Sequence, residues 1–70
     1  MYIVIEIQTN ADDTVGTIVN SYADYYQASS AYHTALAGAA ISSLPTHSCA
    51  LLTEEGDVVE HKFYKHGNAE

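Results

Sequence analysis

From Tyr2 to Thr9 the chain alternates Ile3, Ile5 and Ile7 with Tyr2, Val4, Glu6 and Gln8. This period of two, rich in β-branched side chains, predicts a strand whose first half is greasy on both faces. Asn10-Ala11-Asp12-Asp13-Thr14 follows with short polar side chains that can bond their own backbone, and Val15 to Tyr22 resumes the β character. The two segments therefore read as a hairpin. Gly16 within the second is expected to mark a bulge or a close backbone approach.

The period then changes. Asp24 with Gln27 three residues on forms a D-x-x-Q variant of the capping box, which starts a helix at about Tyr25. Ala28, Ala31, Tyr32, Ala35, Leu36 and Ala39 recur at the three-and-four spacing of a buried stripe, and small residues let such a helix lie close on a sheet. Pro45 disfavours helical geometry at Leu44, so the helix is expected to stop near Ser42 or Ser43. His47 to Thr53 and Asp57 to about Lys65 read as two further strands. Between them, Thr53-Glu54-Glu55-Gly56-Asp57 predicts a type I turn with Gly56 in the left-handed position.

Two hairpins joined by one helix give an α+β fold, ββαββ, with one four-stranded antiparallel sheet. Setting the first strand beside the third makes all neighbours antiparallel in the order 2-1-3-4. Residues 1–66 form the single expected domain, and residues 67–70 the expected frayed tail. If Thr53 faces Asp57, then Leu51 opposes Val59, Cys49 opposes His61 and His47 opposes Phe63, on the side taken as the core. Ile3, Ile5 and Ile7 are expected under the helix. Tyr2, Val4, Ala50, Leu52, Val58 and Tyr64 are then the expected interface on the other face.

A chain of 70 residues buries only about 60% of the surface its unfolded form exposes. The single cysteine, Cys49, excludes an internal disulfide. With those staples absent, self-association is the expected source of stability, as a homodimer or higher homo-oligomer. The net charge of −7, nine acids against Lys62 and Lys65, opposes a phosphate backbone, so no nucleic-acid partner is expected. No apolar run approaches the ~18 residues of a membrane span, and the chain begins directly with a strand pattern rather than a leader. A cytoplasmic protein with no membrane partner is the expectation, and a lone free thiol suits a reducing compartment.

Chemistry-bearing residues are few. His47, Cys49 and His61 share the expected core face, and His-x-Cys puts two donors on one side of a strand, but a fourth metal ligand is missing. No metal and no cofactor is therefore expected, and Cys49 reads as a small buried hydrophobe. Cys49 and His61 as a thiolate and base lack any nearby oxyanion site, and Asp12-Asp13 and Glu54-Glu55 are turn residues, so no catalytic residue is expected. His61-Lys62-Phe63-Tyr64-Lys65-His66 interleaves charge with aromatic rings, yet strand geometry sends Lys62 and Lys65 to opposite faces. Tyr25 and Tyr26, being consecutive, cannot both face the core.

YIVIEIQT, GTIVNSY, AYHTALAGAA, HSCALL and FYKH together resemble a group of very small uncharacterised bacterial and phage-associated proteins, over nearly the whole chain. That resemblance implies a common ββαββ fold and no assigned activity. The function expected is a non-enzymatic, self-associating interaction module. The alternatives are a small-ligand or anion binder at an oligomer interface, or an accessory protein that docks a larger protein partner by the same apolar face.

Overall fold

The computed structural model describes residues 1–66, and the expected frayed tail lies outside the described residues. Strands β1 (Tyr2–Thr9) and β2 (Val15–Tyr22), helix α1 (Tyr25–Ala40), and strands β3 (Thr46–Thr53) and β4 (Val58–Lys65) follow one another along the chain. The sheet order is β2-β1-β3-β4 with every pair antiparallel, as the two-hairpin pattern predicts. No helix among the described residues is long and apolar enough to cross a membrane.

Both hairpins close in the same way. Asn10 and Thr53 each donate a backbone N–H to the carbonyl four residues on, Thr14 at 2.8 Å and Asp57 at 2.9 Å. Each also accepts from the residue three positions later, Asp13 at 3.0 Å and Gly56 at 2.9 Å. That closure requires a left-handed residue, supplied by Gly56 at φ 94° and by Asp13 at φ 71°. Glycine adopts the region freely, and aspartate is among the few other residues that enter it. Asp12 anchors the first turn by accepting from the Thr14 backbone and hydroxyl at 3.1 and 2.6 Å, which holds its carboxyl below the usual value.

The helix begins where its cap predicts, with the Asp24 carboxylate accepting from the Gln27 backbone N–H at 3.1 Å. It ends two to three residues earlier than expected, at Ala40. There Ile41 and Ser42 turn their N–H groups back to Gly38 and Ala39. His66, beyond β4, donates through Nε2 to the Ala39 carbonyl at 2.7 Å and stacks on Tyr64, so the last strand's end clasps the helix terminus. The expected stripe is the buried face: Ala28, Tyr32 and Ala39 are buried, and Ala31, Ala35 and Leu36 are half-buried.

Beneath this small-residue stripe lie Val4 and Leu51, directly paired across β1 and β3 and 4% and 0% exposed. Tyr2, Tyr22, Tyr25 and Tyr64 pack against the buried cluster that these two share with Ala28, Tyr32, Ala39 and Cys49, and Tyr2 meets Tyr25 edge-on at 5.4 Å. Aromatic rings fill the space that alanines leave.

The face assignment differs from the sequence expectation in two places. Tyr2, Val4, Glu6 and Gln8 pair with Thr53, Leu51, Cys49 and His47, so it is this parity that the helix covers, and Ile3, Ile5 and Ile7 lie on the open side. Because side chains alternate with a period of two, a one-residue change of register exchanges the faces of a whole strand. The second correction is a bulge in β4. Leu52 pairs with Val58 but Leu51 with Glu60, which inserts Val59 and makes the partners of Cys49 and His47 Lys62 and Tyr64 rather than His61 and Phe63.

Gly56→Ala should cost about 1 kcal/mol, since alanine is strained at this φ. Asp13→Gly should change stability by less than about 0.5 kcal/mol, because relief of strain is offset by greater freedom in the unfolded chain. Urea denaturation midpoints check both.

Candidate functional surface and polar cluster

With the helix on one side, the other side of the sheet is bare. The strand parities place Ile3, Ile5 and Ile7 of β1, Val15, Thr17, Val19 and Ser21 of β2, and Thr46, Ser48, Ala50 and Leu52 of β3 on it. On β4, Val58, His61, Phe63 and Lys65 take this parity, with the bulged Val59 following Val58. Phe63 is 57% exposed, Val19 57% and Val58 58%, values that are high for apolar strand residues.

The charges of the chain avoid this face. Glu6 and Glu60 belong to the helix-covered parity, and Asp12, Asp13, Asp24, Glu54, Glu55 and Asp57 sit in turns or at the helix cap. Among the described residues the open face carries no carboxylate, and its only ionisable side chains are His61 and Lys65.

Of the expected interface residues, Ala50, Leu52 and Val58 are on the open face. Tyr2, Val4 and Tyr64 are not: they pack in or against the core beneath the helix. The same parity that removes them brings in Ile3, Ile5, Ile7 and Phe63. Nothing at the start of β1 distinguishes its faces by polarity, and Glu6 and Gln8 suggest the wrong one because both are polar yet lie on the helix side.

Glu6 and Gln8 are accommodated there by a polar cluster. Glu6 lies directly across from Cys49, and Gln8 across from His47. The Glu6 Oε1 to His47 Nε2 distance is 3.0 Å, and the Gln8 amide nitrogen is 3.4 Å from the same ring atom. His47 is 6% exposed and Cys49 1%. Burial first, then the nearby Glu6 carboxylate, pushes the Cys49 thiol up to about 11. His61, expected beside Cys49, is instead on the open face opposite Ala50. Lys62 and Lys65 lie on opposite faces, as strand geometry predicts, with Lys62 5.8 Å from the Tyr64 ring centroid. Tyr26 is exposed and Tyr25 half-buried, which settles that pair.

Comparison of the chain with family models, with curated proteins and with solved structures gives no match.

A buried thiol with a raised pKa is a poor nucleophile in the native state. Cys49 should react with a bulky disulfide reagent far more slowly in the native than in the denatured chain. Its folded pKa of about 11 lies above the ordinary thiol value of 9.0, so the neutral thiol's contribution to stability is complete below pH 9 and lost as pH rises toward 11. Over that window the urea midpoint of the wild type should fall more steeply than that of Cys49→Ala.

Proposed function

We propose that this protein is a non-enzymatic, self-associating module that buries the open face of its sheet against a second copy. The observation that carries the reading is the separation of charge from that face. A chain of net charge −7 meets its like against a general repulsion, and a contact surface free of carboxylates minimises it.

Size supports the same reading. Four strands about 4.8 Å apart, each rising about 3.3 Å per residue over eight residues, present a face of roughly 500 Å² in projection, more when side-chain relief is counted. Two copies would bury on the order of 1,000 to 1,400 Å², at the lower end of specific interfaces. About 600 Å² of apolar area contributes roughly 15 kcal/mol gross. Association costs roughly 4 to 15 kcal/mol, which leaves a dimer sensitive to dilution.

Catalysis has no comparable support. The one thiol is buried and held protonated, and most of the acids are in turns. Among the described residues there is no ligand-sized pocket.

Size exclusion with light scattering should give about twice 7.6 kDa at high micromolar concentration, falling on dilution. Ile5→Glu should give a folded monomer, whereas Val4→Glu, buried beneath the helix, should unfold. A wild-type monomer at all concentrations would defeat the reading and favour a larger protein partner for this face. A dimer that persists in Ile5→Glu would place the contact elsewhere, the uncharged β2 edge being the nearest alternative.

A further inference from the structure

On the helix-covered face, next to the Val4 and Leu51 core, the two central strands carry acid, thiol, amide and imidazole where a sheet under a helix ordinarily carries apolar side chains. Burying a carboxylate beside an imidazole costs several kcal/mol unless the groups are mutually satisfied. Here they are satisfied only in part. Glu6 faces Nε2 of His47 at 3.0 Å, while Nδ1, on the far side of the ring, is buried with no hydrogen-bond partner.

One carboxylate oxygen of Glu6, one ring nitrogen of His47 and the Sγ of Cys49 all lie within 4.8 Å of one another. We propose that these three side chains bind a single divalent first-row transition ion, zinc being the best fit, with a fourth position left to water. The donor types are those zinc takes, oxygen, nitrogen and sulfur at about 2.0 to 2.3 Å. Tetrahedral placement at those lengths sets donors about 3.3 to 3.7 Å apart, so the observed triangle needs only small side-chain rotations to close on an ion. On binding, metal–oxygen, metal–nitrogen and metal–sulfur bonds form, and the Cys49 proton leaves to solvent.

Access comes from the β2 side. Gly16 is the partner of Gln8, and a Cβ built on it meets no atom within 4 Å, so open space lies beside the cluster on the helix-facing side. The Glu6 side chain is 22% exposed, while that of His47 is 8% exposed. A carboxylate at the rim and an imidazole and thiol behind it make an inward order of donors. The Gln8 side-chain amide lies beside the set, its nitrogen 3.4 Å from Nε2 of His47. The site lies on the face opposite the proposed dimer contact and does not depend on it.

Cobalt is the direct probe, because a thiolate ligand gives a near-ultraviolet charge-transfer band and tetrahedral coordination gives intense visible bands. Titration of the metal-free full chain with cobalt should develop both at one ion per chain, and zinc should displace them. Cys49→Ala, checked for native circular dichroism, should lose the charge-transfer band. Glu6→Gln, which keeps size and sits at the rim, should weaken binding about ten-fold or more. His33→Gln and His61→Gln should bind as the wild type does. Absence of the charge-transfer band in the wild type would overturn the proposal. So would binding that survives in Cys49→Ala but is lost with His33 or His61, which would mark adventitious surface histidines.

Discussion

The pairing of Val4 with Leu51 across the two central strands is the constraint on which the rest of the structure depends. Once these two face the helix together, the period of two leaves no freedom elsewhere on β1 and β3. Tyr2 must lie near the helix start, Glu6 must meet Cys49, Gln8 must meet His47, and three isoleucines must point away. The alanine stripe of α1 complements this parity. A helix faced with small side chains approaches the sheet closely enough for Tyr32 to be buried with Val4 and Leu51 in one cluster, against which Tyr2 and Tyr64 pack.

Two unusual features of the molecule follow from that single register. One is an aliphatic face with no cover, built from the most β-branched residues of the chain and free of carboxylates among the described residues. The other is a buried polar cluster where a core would be expected. Both have the same origin, since the strand places its isoleucines outward and its glutamate and glutamine inward. A small domain that spends its most hydrophobic strand residues on an open face has a marginal core of its own, and the proposed association with a second copy would supply the missing burial.

Much of the fold was legible in the sequence because its local signals agree. Alternation, the Asp24 cap, the alanine stripe, Pro45 and the two turns each point to ββαββ, and antiparallel pairing with short connections leads to the 2-1-3-4 order. The candidate surface was legible only in part. Ala50, Leu52 and Val58 lie on the open side as the pattern predicts, whereas Val4, Tyr2 and Tyr64, which the pattern also points to, lie on the helix side. The reason is physical: Tyr2 to Ile5 are apolar on both parities, so polarity cannot orient that half of the strand. A bulge at Val59 is equally silent in a Val-Val pair, yet it exchanges Phe63 with Tyr64 and His61 with Lys62 between the faces. Glu6 was missed as a neighbour of His47 and Cys49 because it is remote in sequence and joins them only through the central register.

The central claim is that this register turns Ile3, Ile5 and Ile7 outward to a surface that a second copy covers. Attenuation of methyl resonances by a soluble paramagnetic agent, measured across a dilution series, tests it most directly. The account predicts that the three isoleucine methyls are shielded at high concentration and strongly attenuated on dilution, while Val4 and Leu51 stay shielded throughout. Isoleucine methyls shielded at every dilution, or attenuated equally at all concentrations, would contradict it.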